Sequence, residues 1–116
     1  MNLWVILIVV AFIVIMKMMM SSNISINEAK KKLEENAVIV DVRTEEEFSS
    51  GHIDKALNIP HDRISELEKH VSDKNRPVLL YCLSGMRAAA ACAELRRKGY
   101  SQVYNLGGYS RAKKIA

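Results

Sequence analysis

The residues whose types and spacing could do chemistry are in one short run, "CLSGMR", Cys82 to Arg87, between the apolar stretch "PVLLY" and the alanine row "AAAACAEL". A cysteine at the end of a strand, a glycine-containing turn and the start of a helix leave successive backbone N–H groups unpaired around the sulfur. The helix adds about half a positive charge at the same place. Surroundings of that kind favour a thiolate, the nucleophilic form of a cysteine. Gly85 lets the backbone approach an anion with no Cβ in the way. Arg87 can reach back over the bowl and offer paired donors to an oxyanion. Leu83, Ser84 and Met86 are expected to project outward and shape the rim. A nucleophile in an anion-binding cradle suits attack on a sulfur or phosphorus centre that bears oxyanions. Cys92 lies in the alanine stripe, where core packing is the expected role.

The elements that must position this loop follow from the pattern on either side. "AVIVDV", 37 to 42, and "PVLLYC", 77 to 82, are compact apolar runs that end in a polar or reactive residue, as buried strands do where they emerge at a sheet edge. Ser25 with Glu28 and Thr44 with Glu47 have capping-box spacing and start two short helices. "LNIP" reads as a very short strand. Ile64, Leu67 and Val71 have helical spacing, and Met86 to Lys98 reads as a helix capped by Gly99. "SQVYNL" is the last strand, and a basic tail follows that forms one more helix. Strands alternating with helices predict an α/β fold with a small parallel sheet covered on both faces. Ligands gather at the carboxyl ends of such strands, where Asp41 and Cys82 should both emerge.

The first residues read as a separate piece. "LWVILIVVAFIVIM", Leu3 to Met16, has no polar side chain, and Met18 to Met20 extend it past Lys17. About 18 apolar residues are just enough to cross a bilayer, and a lysine near the end can carry its ammonium to the interface. The division expected is therefore 1–22 as a transmembrane anchor, a single pass, and 23–116 as the folded domain. Lys17, Lys30, Lys31 and Lys32 lie after the span and place the domain in the cytoplasm. A cleaved export signal is the alternative, though it normally has a basic start and a small-residue cleavage site. The net charge of +4, with acids and bases interspersed, does not suggest nucleic-acid binding. Two cysteines ten residues apart do not make a disulfide framework.

Three ordered motifs together resemble the single-domain rhodaneses, persulfide-forming sulfurtransferases. "DVRTEEEFSSGHIDKALNIP" is similar to the family's "DVR…E(F/Y)…GHI.GA.NIP" segment, "VLLYCLSGMRAAAACAELRRKGY" to its strand, C-x-x-G-x-R loop and helix, and "VYNLGGY" to its closing strand and glycine pair. The resemblance covers about residues 25 to 110. It implies a three-layer rhodanese-like fold and a cycle in which Cys82 takes a sulfane sulfur from thiosulfate or a similar small anion and passes it to cyanide or a thiol. Arg87 would hold the donor's sulfonate, and the backbone N–H groups from Leu83 to Arg87 would stabilise thiolate, persulfide and departing sulfite. No metal or organic cofactor is implied. Phosphatases of the same fold resemble C-x5-R; Cys82 to Arg87 is C-x4-R, one residue shorter and sized for sulfur. Asp41 and Arg43 are expected to hold loops by hydrogen bonds and a pair with Glu47, and His52 to satisfy backbone groups between loops. His61 and His70 have no metal-ligand spacing. Two positions depart from the family: Lys55 where glycine is usual, and Tyr109 where the aromatic is often tryptophan. A non-catalytic binding module, or a persulfide carrier for a membrane partner, is the competing reading.

Overall fold

The computed structural model describes residues 2–20 and 23–116, and the side chains of 17–20 are outside the description. Helix α1 spans Leu3–Met20. The folded part then runs α2 (Ile26–Glu34), β1 (Val38–Asp41), α3 (Glu45–Ser49), β2 (Leu57–Asn58), a 3-10 helix (His61–Lys69), β3 (Val78–Cys82), α4 (Met86–Arg97), β4 (Val103–Gly108), α5 (Tyr109–Ala112) and a last 3-10 turn (Lys113–Ile115). All four strands are parallel, in the order β2-β1-β3-β4.

The two-residue period of the strands sorts their side chains into two cores. Val78, Leu80 and Cys82 of β3 point to one face, with Val38 and Val40 of β1 beside them. They pack against Ile64, Leu67 and Val71 and against Ala88, Ala91, Cys92 and Leu95 of α4. Leu79 and Tyr81 point to the other face, where Ile39, Ala29, Leu106, Ala112 and Ile115 meet them. Every residue of β3 is fully buried, so each aliphatic side chain there contributes about 1.5–3 kcal/mol. Apolar residues on both faces of the same strand are why β1 and β3 read as unbroken runs rather than alternating ones.

Both expected capping contacts are present. Ser25 Oγ accepts the Glu28 N–H at 3.1 Å, and Thr44 with Glu47 forms the reciprocal box at α3. The segment after Pro60 departs from the expectation: it is 3-10 rather than α-helical and is broken at Arg63 (φ −120°, ψ 23°). Ile64 and Leu67 are nevertheless buried as their spacing requires. β4 also runs two residues further than its apolar pattern, to Gly108, because those glycines pair with Tyr81 and Cys82.

The transmembrane assignment is corrected. Among the described residues no helix is long and apolar enough to cross a membrane. Leu3–Met16 is 14 residues, about 21 Å of helix at 1.5 Å per residue, against a hydrocarbon core of ~30 Å. The extension over Met18–Met20 rests on side chains outside the described residues, as do the junction residues 21 and 22. The anchor over 1–22, the membrane as a partner and the single-pass, cytoplasm-facing placement derived from it are therefore withdrawn.

Candidate active site

β3 carries Cys82 to the carboxyl edge of the sheet, and the chain turns into α4 within three residues. The turn is set by Gly85, whose φ of +98° is a left-handed conformation that a side chain would strain. It brings the Gly85 N–H to 2.9 Å from Cys82 Sγ, so the amide donates to the sulfur. A Cβ on Gly85 would also lie 3.2 Å from Gly107 Cα. On the other side, one on Gly108 would lie 2.5 Å from the Leu83 carbonyl oxygen. The glycine pair "GG" is thus explained by contact: the end of β4 passes directly against the loop that cradles the sulfur. Leu83 and Met86 project outward, 63% and 71% exposed, and Ser84 is exposed beside them, as expected of a rim.

Arg87 leads back across the edge to α3. Its Nη1 and Nη2 donate to Glu47 Oε1 and Oε2 at 2.8 and 3.0 Å, a two-pronged pair. These bonds raise the guanidinium pKa, and the nearby Cys82 sulfur adds to the effect. Glu47 is pinned from its own side as well: Thr44 N and Thr44 Oγ1 both donate to Oε1 at 3.1 Å. The Arg87 guanidinium first, and the Thr44 backbone N–H next, hold the Glu47 carboxyl down to about 2.

The expected pairing of Arg43 with Glu47 is therefore corrected. Arg43 pairs with Asp41, its Nε and Nη2 donating to that carboxylate at 2.7–3.0 Å, while the Arg43 N–H donates to Oδ1 at 2.9 Å. The physical reason is burial: β1 ends with Asp41 fully buried, and Arg43, two residues on and buried as well, meets it there and neutralises it. Arg43 Nη2 also donates to the Gly51 carbonyl at 2.7 Å, and its guanidinium lies 4.4 Å from the Tyr109 ring centroid. Tyr109 thus does a stacking job that any aromatic could do. His52 stacks on Phe48 with ring centroids 3.6 Å apart and contacts the Phe48 carbonyl through Nδ1 at 2.9 Å. Lys55 holds φ at +69°, a left-handed conformation in which glycine would be free of strain.

The sequence reading did not single out Asn105 or Tyr81. Asn105 Nδ2 donates to the Gly85 carbonyl at 3.0 Å and its Oδ1 accepts the Gly107 N–H at 2.7 Å, tying loop to strand from below. A polar residue in the middle of an apolar strand, "VYNL", was the available signal. The Tyr81 hydroxyl accepts the Ile53 N–H at 3.0 Å, and its burial raises its pKa. Cys92 is buried in the α4 stripe, and desolvation pushes its thiol up to about 12. Among the described residues no group of three or more His, Cys, Asp or Glu is placed to hold a metal ion.

Comparison with known proteins places the chain in a family. The profile of the rhodanese-like domain matches residues 25–114. The chain belongs to the rhodanese-like family. A sulfurtransferase of Allochromatium vinosum is 41% identical over 78 residues, 64% of this chain and 68% of that protein. Thiosulfate sulfurtransferase 18 of Arabidopsis thaliana is 34% identical over 99 residues, covering 74% and 73%. A tRNA uridine(34) hydroxylase of Buchnera aphidicola is 36% identical over 78 residues, 63% of this chain, and the match spans only 25% of that longer protein. Among solved structures, a rhodanese with anions from E. coli superposes with a TM-score of 0.63 at 33% identity, over 65% of this chain and 89% of that one. A human single-domain sulfurtransferase gives 0.65 at 26% identity, over 78% and 93%. The rhodanese-like α/β fold with its parallel sheet between helices is thereby established.

Proposed function

We propose that this protein is a sulfurtransferase in which Cys82 carries the sulfur as a persulfide. The observation that carries the reading is the Cys82 sulfur at the end of β3, receiving the Gly85 N–H at 2.9 Å and followed by Arg87 in a C-x4-R loop. The A. vinosum and Arabidopsis relatives, both sulfurtransferases by name, support it.

The cycle runs in two displacements. The Cys82 thiolate attacks the sulfane sulfur of thiosulfate or a similar donor; an S–S bond forms at Cys82, the donor's own S–S bond breaks, and sulfite leaves with the electron pair. Cyanide or a thiolate then attacks the terminal sulfur of the persulfide, and the electron pair returns to the Cys82 sulfur. Both steps move negative charge through the space bounded by residues 83–87, where loop N–H groups and the start of α4 offset it. Arg87 orients the donor's oxyanion, while Leu83, Ser84 and Met86 bound the approach. Asp41, Arg43, Glu47 and His52 hold the supporting loops and take no part in bond making.

Thiocyanate formation from thiosulfate and cyanide tests the reading. Wild type should turn over, Cys82→Ser should not, and Cys92→Ser should retain most of the rate. Turnover that survives Cys82→Ser would refute it.

A further inference from the structure

Arg87 is the cation that meets a donor at this loop, yet two of its donor groups are already taken by Glu47 at 2.8 and 3.0 Å. The carboxylate is itself immobilised: the Thr44 N–H and hydroxyl hold Oε1, and the Glu47 N–H donates back to Thr44 Oγ1 at 3.2 Å. Glu47 cannot swing away without opening the cap of α3. The second cation at this edge, Arg43, is spent in the same way on buried Asp41 and the Gly51 carbonyl. The rim that a donor crosses contributes Leu83 and Met86, both apolar and exposed, with the small uncharged Ser84 between them and no charged side chain among the three. The entrance therefore combines a neutralised guanidinium with an apolar lip.

We propose that Glu47 is a positioning and selectivity residue. It holds the Arg87 guanidinium beside Cys82 and cancels its charge, so that the site discriminates against dianions and favours sulfur species carrying one charge or none at the reacting end. This rests on the sulfur-transfer reading of the same loop and deepens it: thiosulfate, a dianion, is oriented by the Arg87 N–H donors that Glu47 leaves free and by backbone N–H groups, against an unfavourable carboxylate, whereas a thiol persulfide meets no such opposition. A purely structural Glu47 would stabilise α3 and leave charge selection untouched.

Two alkylating reagents of the same size and leaving group, neutral iodoacetamide and anionic iodoacetate, read the charge at Cys82 without requiring turnover. Glu47→Gln keeps an oxygen for the Thr44 cap and removes the negative charge. The ratio of iodoacetate to iodoacetamide rates at Cys82 should rise about five- to thirtyfold, the attraction expected from one uncancelled unit charge at roughly 8 Å for an effective dielectric constant of about 40 down to about 20. Arg87→Gln in the same background should bring the ratio back down. A ratio within twofold of wild type in folded Glu47→Gln overturns the proposal, as does an equal loss of both rates. If Glu47→Gln does not fold, wild type still decides. With the pair neutral, its ratio should change little between low salt and about 0.5 M KCl, where screening acts over a few ångströms. A steep fall would mean that Arg87 presents an open charge, contrary to the proposal. Because the ratio is read on alkylation, absence of sulfur transfer would refute the reading above and leave this one standing, and an unchanged ratio with normal turnover would do the reverse.

Discussion

Replacing Asp41 by asparagine tests how the carboxyl edge of the sheet is held. Asp41 is fully buried, and its carboxylate receives the Arg43 N–H and three contacts from that guanidinium, all within 3.0 Å. An asparagine would keep the shape and one acceptor. It would also turn an N–H₂ toward Arg43 donors and leave a guanidinium that is 3% exposed without its counter-charge. Breaking a buried pair from one side costs about 3–5 kcal/mol, a large share of the ~5–15 kcal/mol that stabilises a small domain. For a domain of this size each kcal/mol shifts the midpoint by roughly 4–8 °C, so Asp41→Asn should melt at least about 12 °C below wild type. The double variant Asp41→Asn/Arg43→Met removes the stranded charge and should recover about half of the loss. Recovery stays partial because the Gly51 carbonyl loses its donor. Circular dichroism melts of wild type, Asp41→Asn, Arg43→Met and the double variant give the answer. A single-variant loss under about 1 kcal/mol, or a double variant as unstable as the sum of its parts, would refute the charge argument.

Three further outcomes are expected. Gly108→Ala keeps an ordinary backbone conformation (φ −81°, ψ 165°) but sets a Cβ 2.5 Å from the Leu83 carbonyl oxygen. It should slow persulfide formation about a hundredfold by displacing the loop, while urea denaturation shows a loss of only ~1–3 kcal/mol. Glu47 has a folded pKa of about 2 against an ordinary value of 4.5, so its contribution is fully present above pH 4.5 and is lost as pH falls towards 2. Solvent access limits that contribution to about 1–2 kcal/mol. Urea midpoints at neutral pH and in acid should converge for wild type and Glu47→Gln as the pH drops. Cys92, with its thiol pushed up to about 12, should resist iodoacetamide at pH 8. Mass spectrometry should find one modified cysteine in the folded protein, two in urea, and no change in the native count for Cys92→Ala.

The Cys82 loop was legible because its determinants are local. A buried strand, a glycine that must turn at φ +98° and a helix whose apolar stripe is Ala88, Ala91, Cys92 and Leu95 all lie within one contiguous run. The strands β1 and β3 were equally plain, since burial on both faces removes polar residues from the pattern. What escaped were partnerships across the fold. Arg43 and Glu47 are close in sequence and of opposite charge, which made them an obvious pair. The capping box fixes Glu47 on the first turn of α3, where it meets an arginine forty residues on. Asn105 looked like an interruption in a strand, and only the tertiary structure places it under Gly85. At the N-terminus the apolar run Leu3–Met16 is helical, but the step from apolar run to membrane span depended on length. The described apolar stretch does not supply that length.

Intact-mass measurement after thiosulfate treatment and desalting tests the assignment of Cys82 most directly. Wild type and Cys92→Ser should each gain the mass of one sulfur atom, cyanide should remove it, and Cys82→Ser should gain nothing. An unmodified wild type, or a gain that persists in Cys82→Ser, would contradict a Cys82 persulfide.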